Sequence, residues 1–336
     1  PLEALYQVYR ALRANREEYG LVMEDRQEYR WVLGDDKQIE TIEPYEKLLS
    51  QKLVEECMIA ANRCGARFLT EHGASGPFVG HRGFRADRLS ETRKFLEMHA
   101  AELASENPET VAGYRTIMRG LSKTEHELPL RPMVNRLLSR AELCCEPLPH
   151  MGMALESYTN CTSPLRKYLD FLVHLQIKAV LHGETANLVA AETLEQLSGR
   201  LAQSRAATLE AERWLASNYL AKLAAAEEGA RFEGRVIHVN SSGFNVGLND
   251  NGLEGFVDLR KDPEKFSYDK WTASLTSTTR RFRLEQPVTV SYLGAAAEDL
   301  YQARFALVEG CGLKPQKEEP AKPGKADDSA AKANGD

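Results

Sequence analysis

The hydrophobic pattern of this chain changes period once, at Gly229, and that change sets what it can fold into. Upstream, apolar residues recur at the three- and four-residue spacing of amphipathic helices. Downstream, ARFEGRVIHVN, GFNVGLND, LEGFVDL, PVTVSYLG and LYQARFALV alternate apolar and polar residues, as strands with one buried face do. NDNG supplies a hairpin turn between the second and third segments. Five such strands, with a long insertion before the fourth, suit a small OB-fold barrel. The predicted fold class is α+β: a helix-rich body over residues 1–228, a barrel over 229–312, and a tail over 313–336. The tail has no aromatic or aliphatic pattern after Leu313 and is expected to be disordered.

Within the body, Leu2, Leu5, Tyr6, Tyr9 and Leu12 predict an opening helix that Gly20 can stop. LVMED, YRWVLG and QIETI read as two or three short antiparallel strands, with Asp35–Asp36 in a hairpin turn. A long helix is predicted from about Glu46 to His72, its apolar side formed by Leu49, Leu53, Cys57, Ala61, Cys64 and Phe68. Val54, Met58 and Ile59 widen that stripe until the middle of the helix should be nearly surrounded. A glycine-rich loop and modest helices follow, and HMGMALESY reads as a strand or extended segment ending at TNCTSP. There Thr162 or Ser163 can cap a helix with Pro164 in its first position, apolar on most sides from Leu165 to Leu181. A second long helix or helical hairpin covers about Ala190 to Glu228.

Charged residues inside such helices cost stability unless they are partnered. Glu55 reads either as a carboxylate facing a ligand channel or as a surface glutamate, and Glu56 beside it fits the surface reading. Arg166 falls in the predicted first helical turn, with Asp170 and His174 at four-residue intervals behind it. An arginine fork at a helix N-terminus suits a phosphate, and the alternative is a local Arg166–Asp170 ion pair. Tyr168, Phe171, Leu172 and Val173 argue against full exposure of this region. Periodicity gives Glu212, in LEAERWLASNYLAK, only a solvated helical face.

The formal net charge of -6 argues against a surface that coats nucleic acid indiscriminately, though a locally basic channel remains compatible with it. Nothing in the sequence approaches the apolar length of a membrane-spanning helix, and no membrane partner is expected. The six cysteines show no CxxC spacing and read as reduced thiols in a cytoplasmic protein. Pro1 in place of an initiating methionine is read as a chain that starts inside a longer one.

Several stretches together resemble the RNase II family of RNB exoribonucleases. LVEECMIAANRCGARFL is similar to that family's long helix motif, and LEAERWLASNYLAK to its A-E-R helix. RAELCCEPLPHMGMALESYTNCTSPLRKYLDFLVH is similar to its most recognisable stretch, through the TSPLRKY segment. The resemblance runs from about Tyr6 to Val308. It implies the C-terminal part of an RNB catalytic domain followed by an RNA-binding barrel of ribosomal S-one type. The family hydrolyses single-stranded RNA processively from the 3′ end to nucleoside 5′-monophosphates with Mg²⁺. By the same resemblance, Arg166 and Glu212 are candidate catalytic residues near the scissile phosphate. Glu55 would read the ribose, where a carboxylate accepting from a 2′-OH favours RNA over DNA. Tyr158 and Lys167 join them as RNA contacts. In the barrel, Phe232, Phe244, Phe256 and His238 are candidates for stacking bases, or else core residues. Arg280, Arg281 and Arg283 around Phe282 read as a phosphate track or as a solvated loop.

Two departures limit the transfer. Met23 stands where the family places an aromatic that stacks on a terminal base, which predicts a weaker grip. The aspartates that hold the family's metals lie upstream of the matching region, so the Mg²⁺ ligands are expected outside this chain and none is assigned within it. The sequence therefore supports two readings. One is part of a monomeric exoribonuclease whose N-terminal half is a covalent or trans partner. The other is a non-catalytic RNA-binding protein that keeps the channel and barrel.

Overall fold

The computed structural model describes residues 1–22, 27–123, 128–184, 189–308 and 312–313. Met23 and the tail beyond residue 313 lie outside the described residues. The chain opens on α1 (Leu2–Tyr19), then the antiparallel hairpin β1 (Glu28–Leu33) and β2 (Ile39–Tyr45), with Asp35 and Asp36 in its turn. The long helix α2 (Leu49–Glu71) leads into β3 (Phe78–Gly80). Three helices follow: α3 (Leu89–His99), α4 (Val111–Leu121) and α5 (Leu130–Val134). The short β4 (Glu142–Cys144) pairs antiparallel with β3. Then come α6 (Tyr168–Leu181) and the 36-residue α7 (Ala191–Ala226), a single helix and not a hairpin.

The barrel is closed by β5 (Phe232–Asn240), β6 (Gly243–Leu248), β7 (Glu254–Asp258), β11 (Pro287–Gly294) and β12 (Ala303–Leu307), in the order β11-β12-β7-β6-β5. All pairs are antiparallel except β12 with β7. The insertion forms a sheet of its own from β8 (Ser267–Asp269), β9 (Ser274–Thr276) and β10 (Arg281–Arg283). Alternation along these strands turns Val236, Phe244, Val246, Val290 and Phe305 inward, as period-two patterning requires.

The expected boundary at 228/229 falls between the end of α7 and the start of β5. The core does not stop there: one cluster runs from Leu21, Ile39, Ile42 and Phe84 of the body to Phe244, Phe282 and Phe305 of the barrel region. Polar contacts reinforce the join. The Tyr29 hydroxyl donates to the Asn249 carbonyl at 2.9 Å, and its ring covers Gly252, where φ is +66 and a Cβ would lie 2.4 Å from the ring. On the insertion, the Trp271 ring meets the ammonium groups of Lys270 and of Lys94 of α3, 4.6 and 5.1 Å from its centre. Lys270 also pairs with Glu91 at 3.4 Å.

Three sequence expectations are corrected. HMGMALESY is not a strand; Met151–Met153 form a single 3-10 turn whose next residue, Ala154, is left-handed. Glu56 is not a surface residue: it is 3% exposed, and both its oxygens accept from the Arg16 guanidinium of α1. The buried side of α2 is Glu56, Asn62, Gly65, Ala66 and Leu69, whereas Leu49 and Val54 are exposed. Periodicity misplaces this stripe because Glu56 and Asn62 have dedicated polar partners, which remove the usual penalty for burying them. No helix among the described residues is long and apolar enough to cross a membrane.

Candidate nucleic-acid interface

The second cluster, Ala66, Leu69, Ala74, Phe78, Val173 and Ala179, packs α2, β3 and α6 together and sets the walls of the candidate site. Between α2 and the loop before α6 lies an open groove of about 660 Å³. Val54, Met58 and Ile59 give it an apolar floor, and Glu55, Asn62, Tyr158 and Lys167 bring polar groups to it. Glu55, Tyr158 and Lys167, far apart in sequence, therefore share one concave surface. Glu55 is exposed on α2, with Lys47 Nζ 3.7 Å from its carboxylate. Tyr158 is 8% exposed; burial pushes its hydroxyl above the ordinary tyrosine range, so it serves as a neutral hydrogen-bonding group.

Arg166 is adjacent but placed differently than its spacing predicts. The helix begins at Tyr168, and Pro164–Arg166 form a turn in front of it. The Ser163 carbonyl accepts from the amides of Arg166 and Lys167 at 3.2 and 3.0 Å, which closes this turn. Arg166 is exposed, and no side-chain hydrogen bond or ion pair engages it among the described residues. The alternative Arg166–Asp170 pair does not form, because Asp170 turns inward to accept from the Ser163 amide at 2.8 Å. The apolar neighbours cover the region only in part: Leu172 and Val173 are buried, whereas Leu165, Tyr168 and Phe171 are 102%, 58% and 43% exposed, and α6 buries Asp170 and Gln176 beside them.

Glu212 is exposed on α7 and does not line the groove. In the barrel, Phe244 cannot stack on a base: it is fully buried, with its ring 4.8 Å from that of Phe282. Phe232 is half-buried against the core, and His238 is exposed on β5. The cluster around Phe282 is not an open basic track at Arg280. That guanidinium is bound by Asp262 and by Glu264, whose carboxyl the Ser277 and Thr279 hydroxyls pull down to about 2. Arg281 and Arg283 flank the buried Phe282 on β10 and are half-buried. A second groove, about 1050 Å³, does open on the barrel beside Phe256, with Arg260, Lys261 and Arg304 on its walls. Arg260 and Arg304 are paired to Asp258 and Asp299. Arg304 carries no motif and Asn62 lies on a helix read by its apolar residues, so neither is singled out in the sequence.

Behind the main groove, the His150 ring lies edge-on to Tyr158 and stacks on His81, with centroids 5.6 Å apart in each case. Burial and the neighbouring His81 hold His150 down at about 4, and burial lowers His81 as well. Both rings are neutral at neutral pH, whereas in an unfolded chain they take up protons below about 6.5. The contribution of His150 to stability is thus intact above that pH and is lost as pH falls from about 6.5 towards 4, by up to about 1.4 kcal/mol per pH unit, and that of His81 falls in the same direction. Urea unfolding at pH 7 and pH 5 is expected to give a lower midpoint at pH 5, and His150→Phe should narrow the gap. An unchanged gap would remove His150 from this account.

Residues 1–183 match the RNB domain family. The exoribonuclease 2 of Cronobacter sakazakii is 32% identical over 256 residues, 76% of this chain and 39% of that protein. The Shigella flexneri exoribonuclease 2 is 33% identical over 242 residues, 72% of this chain and 37% of that protein. The chain thus spans about two fifths of the length of these relatives. Among solved structures, Mycoplasma genitalium RNase R in complex with ribose-methylated single-stranded RNA shares the fold with a TM-score of 0.70 at 18% identity, over 91% of this chain and 49% of that one. Yeast Ssd1, a pseudonuclease, aligns with a TM-score of 0.52 at 20% identity, over 69% of this chain and 30% of that one. With the family match covering more than half of its length, and a helical body joined to an OB-type barrel as its architecture, this chain belongs to the RNB family.

Proposed function

We propose that this chain is the RNA-guiding part of an exoribonuclease that degrades single-stranded RNA from the 3′ end to nucleoside 5′-monophosphates in the cytoplasm. The observation that carries this reading is the convergence of Glu55, Tyr158 and Lys167 on one groove with Arg166 on the adjoining turn. The groove's apolar floor suits a base, Glu55 a ribose hydroxyl, and Lys167 a phosphate. Arg166 stands free to meet charge developing on the phosphoryl oxygens. Glu212 joins the reaction centre in this reading, and the barrel, through Phe256, Phe232, His238 and Arg281, holds the strand further upstream. The relatives named exoribonuclease 2 support the assignment, as does the RNase R structure with RNA bound.

Magnesium is the metal such a reaction implies. Among the described residues, no group of three His, Cys, Asp or Glu side chains comes together that could ligate it. These residues do not fit the ion by themselves, and the ligands are proposed to come from an RNB N-terminal portion in cis or in trans. The chain alone is then expected to release no mononucleotides from a 3′-labelled oligoribonucleotide in Mg²⁺. Adding the N-terminal portion of the RNB domain is expected to restore release. Mononucleotide release by the chain alone would overturn this reading. Tight RNA binding without release in the mixture would favour a non-catalytic RNA-binding protein, a reading supported by the likeness in fold to a pseudonuclease.

A further inference from the structure

Two buried polar side chains, Asn62 at the groove wall and Asp170 behind it, have no role yet in the core or the proposed reaction. Asp170 is 1% exposed, and no lysine or arginine pairs with it among the described residues. Its Oδ2 accepts from the Ser163 amide at 2.8 Å, and the Ser163 carbonyl in turn accepts from the Arg166 and Lys167 amides. A continuous chain of hydrogen bonds thus runs from the carboxylate to the backbone of Lys167. Asn62 is 4% exposed and grips the other end of the same loop. Its Nδ2 donates to the Tyr158 hydroxyl and its Oδ1 accepts from the Cys161 amide, both at 2.8 Å. His174 Nε2 meets the Cys161 carbonyl at 2.7 Å. The loop also presses close to α2, where a Cβ on Gly65 would lie 3.3 Å from Cys161 Sγ.

We propose that Asn62 and Asp170 are positioning residues: from α2 and α6 they fix the Tyr158–Lys167 loop so that Lys167 faces a phosphate in the groove. The inference rests on the groove being an RNA site. Burying an unpaired carboxylate is unfavourable, and an apolar side chain would join α6 to the loop at lower free-energy cost. What an apolar side chain cannot do is hold one backbone amide at a fixed point. Asn62 likewise uses a donor and an acceptor at once, which neither leucine nor aspartate can reproduce.

The test is binding of a fluorescent oligoribonucleotide to the full chain across a salt series. A lysine that neutralises one phosphate on a single strand adds about 0.7 to the slope of log affinity against log salt. Lys167→Ala is therefore expected to lose about 0.7 of slope. Asp170→Ala is expected to lose the same amount, and the double variant no more than Lys167→Ala alone, as two changes to one interaction should behave. Asp170→Asn, which keeps the acceptor oxygen, should retain the wild-type slope. A general loss of stability would lower the unfolding midpoint without reproducing this pattern.

If Lys167→Ala keeps the wild-type slope, the RNA reading of the groove fails. If Lys167→Ala loses slope while Asp170→Ala does not, that reading stands and the positioning role falls. Loss of slope in Asp170→Asn would also overturn the inference, since charge and not acceptance would then be responsible. Should Asp170→Ala not fold, Asn62→Ser, too short to bridge Tyr158 and Cys161, carries the same cycle. Failure of both to fold would reduce the pair to fold support and overturn the proposal.

Discussion

Replacing Arg166 by alanine in the proposed exoribonuclease is expected to lower turnover by about 10²–10³-fold, the range seen when a fixed group that stabilises developing charge is removed. RNA affinity should change little. Arg166 is exposed on a closed turn outside the groove lining, so the proposed contacts of Glu55, Tyr158 and Lys167 with the strand do not depend on it. Its guanidinium has no protein partner among the described residues, so truncation leaves no buried charge behind and the fold should be unaffected. Single-turnover rates and equilibrium binding, measured separately, check this. Equal losses in both would make Arg166 a binding residue only.

Glu56→Ala is expected to destabilise the protein by about 3–5 kcal/mol, the cost of breaking a buried ion pair from one side. The change strands the Arg16 guanidinium, which is 8% exposed and pairs with no other carboxylate among the described residues. Arg13 Nη1 also lies 3.4 Å from the same carboxylate, but Arg13 keeps its closer partner Glu17, at 2.6 Å, when Glu56 is removed. Replacing the pair together, Arg16→Met with Glu56→Leu, is expected to recover most of the loss, since an apolar pair avoids desolvating two charges. Urea unfolding of the two singles and the double closes the cycle. A double variant no more stable than Glu56→Ala would show that the contact between α1 and α2 depends on the charges themselves.

Arg16 and Glu56 also show where sequence reading succeeds and where it stops. The barrel was legible strand by strand because its alternation is local and each strand has one buried face. The body was legible as elements, but the buried faces of α2 and α6 were not. In both helices a polar residue with a partner forty or more positions away, or in the preceding loop, takes the place that an apolar residue was expected to fill. Glu56 meets Arg16, Asn62 meets Tyr158, and Asp170 meets Ser163. Hydrophobic period reports the average cost of burial and cannot see a partner that cancels it. The same blindness hid the depth of Phe244, since a strand aromatic reads alike whether it faces a core or a ligand. The groove residues were found by motif, and only folding brought Glu55, Tyr158 and Lys167 to one surface.

Trp271 adds an optical consequence to its mechanical one. An indole close to two ammonium groups has an emission energy set partly by their field, and here one cation belongs to α3 and the other to the barrel insertion. Any tilt of the barrel away from the body removes Lys94 from the ring while Lys270 stays beside it. With Trp31 and Trp214 replaced by phenylalanine, the protein would carry a single emitter at that seam. Its colour would follow the angle between body and barrel, without any label being attached.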